Sequence, residues 1–133
     1  SNKERKSAPS KLNGGGNFTD YTADRLKKDI NEKDLNMLVS GFIDGKLIYI
    51  LEFPFNSTDF VKNLQIKINR WQQKMAGSKS TTGQFLRSAD FSYKDYIGCE
   101  NLKIVYLLNK TDLENYKPYI VKDFYFFLEK KAV

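Results

Sequence analysis

The sequence contains no histidine, one cysteine and three prolines among its 133 residues. The absence of histidine excludes Ser-His-Asp triads, imidazole metal ligands and histidine general bases. Cys99 alone can form neither an internal disulfide nor a multi-thiolate zinc site, and such cysteine usage fits a reducing cytoplasm. A metal ion bound by this chain would therefore need oxygen ligands, which Mg²⁺ prefers.

Long apolar runs are also missing. No stretch approaches the roughly 20 apolar residues of a membrane-spanning helix, and there is no apolar signal segment. We therefore expect a cytoplasmic protein without membrane contact. A chain of 133 residues with 41% hydrophobic and 14% aromatic residues predicts one folded domain with a buried core.

Charge of one sign is in excess. Lysine and arginine number 22 against 16 acidic residues, which gives a net charge of +6. This balance favours polyanionic partners such as nucleic acid, although many basic domains bind none. The basic, glycine-containing segment of residues 1–16 predicts a flexible lead-in or linker, and residues 17–133 a single domain. The three consecutive glycines, residues 14–16, are not followed by the Lys-Ser/Thr that a phosphate-binding loop requires.

A β-hairpin is the strongest local prediction. Asp44 and Gly45 readily adopt the positive φ values of a tight turn, and apolar runs flank them at Met37–Ile43 and Lys46–Phe55. The second run is apolar on both faces, as in a strand covered on two sides. It nevertheless contains Glu52, a carboxylate that must be paired, near a strand end or functional.

Helices are predicted on both sides of this hairpin. A short one spans Tyr21–Asn31, with Thr19 as its N-cap. A longer one follows residues 56–59, because apolar residues recur there at helical spacing. These are Phe60, Leu64, Ile68, Trp71 and Met75.

Basic side chains on and after the longer helix form either a solvated surface or a phosphate-contacting one. The candidate nucleic-acid-binding residues are Lys67, Arg70, Lys74 and Arg87. Aromatic and basic residues interleave over Gln84–Gly98, so the rings there either stack on bases or anchor this segment in the core.

The C-terminal part predicts a strand at Leu102–Leu108 and a helix ending near Lys130, with a strand at Phe124–Leu128 as the alternative. The resulting order is α-β-β-α-β-α. It predicts an α/β (α+β) fold in which helices pack on a central mixed sheet that contains the hairpin.

This order, with a carboxylate late in the second hairpin strand and a basic helix after it, resembles the restriction-endonuclease-like PD-(D/E)XK nucleases. The resemblance implies that Glu52 is the second acid of the motif and that Asp34 or Asn36 is the first, together holding Mg²⁺, or Mn²⁺ as a substitute. The motif lysine falls at Pro54, so Lys62 or Gln65 of the next helix would take its catalytic role. Cleavage of a phosphodiester requires such a cation and an activated water.

Hairpin register decides whether these groups can meet. With a strict two-residue turn, Met37 lies opposite Glu52, and Asp34 and Asn36 point to the opposite face of the sheet. With a three-residue loop, Asn36 lies opposite Glu52, and Asp34 shares its face one diagonal away, at about 7–8 Å. The alternative to a site is a structural Glu52 that accepts hydrogen bonds from Arg25, Lys62 or the backbone.

Two function classes follow from the sequence. The first is a DNA-binding, nuclease-like domain of a larger DNA-processing protein, either a Mg²⁺-dependent hydrolase or a degenerate relative that does not cut. The second is a non-catalytic domain that binds a protein partner. Salt separates them, because phosphate-driven binding weakens steeply as salt rises and apolar association does not.

Overall fold

The computed structural model describes residues 10–76 and 85–133, without the side chains of residues 58, 71–76 and 85–88. In chain order these residues form β1 (Gly16–Thr22), α1 (Ala23–Asn31), β2 (Asn36–Ile43), β3 (Lys46–Pro54), α2 (Thr58–Ala76), β4 (Phe85–Phe91), β5 (Lys103–Leu107), α3 (Lys110–Glu114) and α4 (Lys122–Lys131). Short 3-10 helices at Tyr93–Asp95 and Lys117–Tyr119 connect some of them.

The strands of this part of the chain form two small antiparallel sheets. One contains β1 and β4, and the other has the strand order β2-β3-β5. The α+β class is therefore confirmed, whereas a single mixed sheet is wrong for these residues. The predicted order also lacked β1 and β4, which pair with each other from Gly16 opposite Phe91 to Thr22 opposite Phe85.

The local signals place the hairpin and the helices well. Asp44 and Gly45 have φ values of 48° and 76°, so the turn has two residues in the left-handed region. The N-cap of α1 is Thr22 rather than the predicted Thr19, because the Arg25 backbone N–H donates to the Thr22 hydroxyl at 3.0 Å. At the C-terminus the predicted helix is confirmed as α4, and the alternative strand at Phe124–Leu128 is not formed.

An aromatic cluster joins the two sheets through α2. The ring of Phe60 lies 5.0 Å from that of Phe53 on β3 and 5.2 Å from that of Phe91 on β4. Tyr96 stacks on Phe53 at 4.3 Å. Phe60 and the next two members of the predicted stripe are buried, and the side chains of its last two members, Trp71 and Met75, lie outside the described residues.

The segment before β1 belongs to the packed domain. The Leu12 N–H donates to the Tyr119 carbonyl at 2.9 Å, and the Val121 N–H donates to the Leu12 carbonyl at 2.8 Å. Gly14 is buried, and its carbonyl accepts a hydrogen bond from the Tyr96 hydroxyl. The predicted lead-in of residues 1–16 is therefore too long, because Leu12 and Gly14 are already part of the folded domain. Its residues 1–9 and the predicted loop Gly77–Gly83 lie outside the described residues.

Candidate functional site

Glu52 lies on the face of the three-stranded sheet that points away from the core. Its neighbours along β3, Leu51 and Phe53, are completely buried, while Glu52 is half-buried on the opposite face. Alternation of side chains along a strand accounts for this arrangement. In register, Glu52 lies opposite Leu38 on β2 and opposite Lys103 on β5.

The hairpin register matches neither predicted alternative. Ile43 pairs with Lys46, as a two-residue turn requires, but the register shifts between Gly41 and Phe42. Ile48 is the extra residue of this bulge, since Gly41 pairs with Tyr49 and Phe42 with Leu47. The shift of one residue places Leu38, rather than Met37 or Asn36, opposite Glu52.

The shifted register still leaves one predicted metal ligand on the face of Glu52. Asn36 lies opposite Pro54, two residues along β3 and therefore one diagonal from Glu52. Asp34 is exposed in the turn between α1 and β2, outside the paired strand. Among the described residues, no group of three or more Cys, Asp or Glu side chains is placed to hold a metal ion.

Lys62 and Gln65 are not brought to Glu52. The helix that carries them packs on the core side of the sheet, where Phe60 contacts Phe53, whereas Glu52 points to the other side. Both residues are exposed, and the Gln65 side-chain amide donates to the Asn69 side-chain oxygen at 3.1 Å. The predicted catalytic grouping therefore does not converge, because the sheet lies between its members.

None of the predicted structural partners of Glu52 bonds to it in the described part of the chain. Arg25 instead pairs with Asp29 on its own helix, with 3.2 Å between Nε and Oδ2. Asp29 also accepts a hydrogen bond from the Tyr21 hydroxyl. No described group donates a hydrogen bond to the Glu52 carboxylate or forms an ion pair with it. Glu52 therefore has Lys103 across from it in register, without a bond between them.

The candidate nucleic-acid-binding residues are only partly described. The Lys67 ammonium group donates to the Asp90 backbone carbonyl, and Arg70 is exposed. The side chains of Lys74 and Arg87 lie outside the described residues. Of the aromatic residues after β4 begins, Phe91 and Tyr96 are buried in the core, while Tyr93 packs against Phe124 at 5.3 Å. These three rings therefore act as core anchors.

The structure reveals an apolar surface that the sequence analysis missed. We define the outer face as the side of the β2-β3-β5 sheet that carries Glu52. Large apolar side chains remain exposed there: Leu38 at 64%, Phe42 at 56% and Tyr106 at 39%, with Val105 at 55% beside Tyr106 as the extra residue of a second bulge, on β5. The apolar residues on both faces of β3 predicted cover on two sides, but these exposures show that the described elements leave the outer face largely open.

A cleft continues from the outer face at the hairpin turn. It has a volume of about 400 Å³ and lies between Phe42 on the hairpin and Pro118 and Tyr119 on the other side. Lys11 and Asp44 also line the cleft, so its walls are apolar with one charge of each sign. The ring of Tyr119 is 57% exposed. The cleft thus extends the apolar surface beyond the sheet.

A second, more polar cleft lies at the N-terminus of α2 and has a volume of about 380 Å³. Ser57, Asp59, Cys99 and Glu100 are among the residues that line it. The Ser57 hydroxyl oxygen is buried without a hydrogen-bond partner among the described groups. The Cys99 thiol is half-buried. These groups include neither a paired base nor a metal-ligating cluster within the described part of the chain.

Comparison with known proteins adds no relative to this picture. No protein-family model matches the chain, no curated protein is significantly similar to it in sequence, and no solved structure matches it significantly. In the described ranges, no helix has both the length and the apolar character needed to cross a bilayer. The residues and their geometry are therefore the basis on which a function can be inferred.

Proposed function

We propose that this domain is a non-catalytic interaction module that binds a protein partner through its outer face. The observation that carries the proposal is the set of four large, exposed apolar side chains on that face. Full burial of a fully exposed side chain of this size contributes about 1.5–3 kcal/mol, and each of these four, which are 39–64% exposed, would contribute a part of that. Large apolar side chains exposed together on one face of a sheet are typical of a site for another protein.

Polar groups on the same face would give the interaction orientation. Glu52 and Lys103 lie side by side in register on β3 and β5, among the apolar side chains. An apolar interface that includes a few charged groups admits partners with matching charges and disfavours others. The partner implied by this chemistry is a protein surface with apolar residues and with one group of each sign opposite this pair.

The separation of the predicted catalytic residues supports the non-catalytic part of the proposal. Glu52 lies on the outer face, while Lys62 and Gln65 project from a helix on the other side of the sheet. A general base or water-orienting group must lie within hydrogen-bond reach of the reacting atoms. Neither Lys62 nor Gln65 can serve a reaction at Glu52 in this arrangement.

The test measures partner affinity with a matched pair of apolar-to-acid variants. The full chain captures partners from an extract of cells that express it, and the purified partner is then titrated calorimetrically. Val105→Asp on the outer face should weaken binding at least tenfold, or about 1.4 kcal/mol. Ile66→Asp, at an exposed apolar residue of α2, should leave the affinity unchanged.

Salt provides a second readout of the same titration. Binding by an apolar face should persist at high salt, because the hydrophobic effect is not screened by ions. Equal loss of affinity in Val105→Asp and Ile66→Asp would contradict the assignment to the outer face. Circular dichroism of both variants would verify that each is folded.

Nucleic-acid binding is the second candidate, favoured by the net charge of +6 and by the exposed Lys62 and Arg70 on α2. Gel-shift titration with generic duplex DNA at low and high salt tests it. Binding should be tight at low salt and fall steeply as salt rises. Arg70→Glu should weaken it further. The absence of a shift at low salt would remove this candidate.

Magnesium-dependent cleavage is the narrower form of the second candidate. Glu52 and Asn36 would offer the ion one carboxylate and one amide oxygen, and Mg²⁺ commonly takes few protein ligands when substrate phosphates supply others. Cutting of duplex DNA would then require Mg²⁺ or Mn²⁺ and would be lost in Glu52→Ala without loss of fold. Undiminished cutting by that variant would exclude Glu52 from the reaction.

A further inference from the structure

Strand β2 forms one edge of its sheet in the described part of the chain. Its eight residues, from Asn36 to Ile43, include no charged residue and no proline. Natural proteins usually protect an edge strand with such residues, because its unpaired N–H and C=O groups can otherwise accept a strand from another chain. An uncharged edge about 27 Å long, at about 3.4 Å per residue, is thus suited to strand pairing.

The backbone groups that β2 presents to the free edge can be assigned. The Phe55 N–H donates to the Leu35 carbonyl at 2.9 Å just before β2, which marks positions 35 and 55 as a hydrogen-bonded pair. Such pairs recur at every second residue of an antiparallel ladder. Residues 37, 39 and 41 therefore bond to β3, and residues 38, 40 and 42 face outward. The bulge preserves this alternation because its extra residue, Ile48, lies on β3.

We propose that β2 pairs antiparallel with β2 of a second copy of this chain, about a two-fold axis at Ser40. The inference goes beyond the proposed function, because the partner at this edge is an identical domain and the outer face stays open to another protein. In this register Leu38 lies opposite Phe42 of the second copy, two exposed side chains that the free domain leaves in water. No charged residue faces another across the axis, so the net charge of +6 meets no local repulsion within the paired strands.

The remaining pairs in this register are also compatible. Met37 lies opposite Ile43 and Val39 opposite Gly41 on the core side, while two Ser40 residues meet at the axis. Apolar and β-branched cross-strand pairs stabilise antiparallel ladders. The two domains would thereby share one continuous six-stranded sheet, and their outer faces would join into a single extended surface. A closed two-fold interface of this kind stops at the dimer.

Sedimentation velocity of the full chain across a wide concentration range tests the pairing. The wild-type protein should sediment as a dimer of twice 15.5 kDa. Ser40→Pro removes an outward N–H that the β3 ladder does not use, so the domain should fold but remain monomeric at tenfold higher concentration. Ser40→Thr keeps the N–H and favours a strand, so it should remain dimeric.

Two further measurements keep the result decisive. Ser40→Lys places two like charges at the axis and should also give a folded monomer by circular dichroism. In the wild type, hydrogen exchange at the amides of Leu38 and Ser40 should slow as the protein concentration rises.

A wild-type chain that is monomeric throughout, or a dimer that Ser40→Pro leaves intact, would overturn the inference. The proposed function is judged separately, because Val105 lies on β5, away from the paired edge. A monomeric chain whose binding to another protein depends on Val105 would retain the outer-face proposal and lose the self-pairing.

Discussion

At the residue scale, Gly14 is a position where a side chain would meet both close neighbours and a strained backbone. Its φ is 72°, in the left-handed region. A Cβ there would lie within 2.8 Å of the Tyr96 hydroxyl, the Phe124 ring and Tyr93. We expect Gly14→Ala to lower the free energy of unfolding by about 3 kcal/mol, because overpacking adds to the backbone strain. Urea denaturation followed by circular dichroism measures the change.

Gly45 provides the matched control for this prediction. Its φ is 76°, close to that of Gly14, but a Cβ there would meet no atom within 4 Å. Gly45→Ala should therefore lower the free energy of unfolding through backbone strain alone, by about 1 kcal/mol. An equal decrease in the free energy of unfolding in both variants would show that the side chains around Gly14 move aside without an energetic cost.

Glu52 shows how far single residues can be interpreted from sequence. A carboxylate within an apolar strand correctly marks a residue that differs from its neighbours, and the alternation of the strand places it away from the core. Its partner on β2 depends on the register, which is set by one unpaired residue, Ile48. No propensity or spacing in the sequence identifies that residue, because Ile48 and the next residue, Tyr49, are both apolar and both buried.

At the scale of elements, α2 is the helix that joins the two sheets. Phe60 is completely buried between Phe53 and Phe91, whereas Ile66 on the same helix is 42% exposed. Phe60→Ala should destabilise the domain by about 3–5 kcal/mol, since it leaves a cavity at the contact of both sheets. Ile66→Ala should cost less than about 0.5 kcal/mol, as substitutions at exposed positions usually do.

The measurement is the thermal unfolding of both variants beside the wild type. Phe60→Ala should lower the Tm by many degrees and Ile66→Ala by only a few. Similar Tm values for Phe60→Ala and the wild type would mean that the two sheets are held together without this ring. The same comparison would then assign the join to other members of the aromatic cluster.

The elements that the sequence predicts are those with strong local signals. The hairpin follows from Asp44 and Gly45 between two apolar runs, and α2 follows from the spacing of its apolar residues. Strands β1 and β4 lacked such signals. The local sequence of β1 predicts the end of a glycine-containing lead-in and the start of a helix, but these residues form a strand by pairing with a segment almost 70 positions later. Long-range pairing of this kind overrides weak local preference.

At the scale of the whole molecule, buried phenols connect the fold to alkaline pH. Burial raises the pKa of Tyr49 to about 12, although a hydrogen bond with the Gly14 backbone opposes the rise. Burial also raises the pKa of Tyr96, as does its proximity to Tyr49. For Tyr21, burial and the hydrogen bond to Asp29 raise the pKa. These phenols lie on β3, on the segment before β5 and on β1.

The sign of the pH dependence follows directly. An unfolded tyrosine has a pKa of about 10, so the folded state retains the phenolic protons to higher pH than the unfolded state does. The stabilisation is complete below pH 10 and decreases as pH rises toward 12, by up to about 1.4 kcal/mol per pH unit for the buried Tyr49 and Tyr96 and by less for the partly exposed Tyr21. Urea denaturation between these pH values should show this decline, and Tyr49→Phe should make it shallower. A flat profile would contradict the prediction.

Ile48 determines on which face of the sheet Glu52 lies. It is the one position of β3 without a counterpart on β2, so a pairing of Ile48 with Gly41 would bring the strands back into strict alternation. Every residue from Tyr49 to Pro54 would then advance by one place against β2, and the acid would trade sides with the aromatic residues beside it. The unpaired state of one residue thus separates a carboxylate that reaches solvent from one driven into the interior.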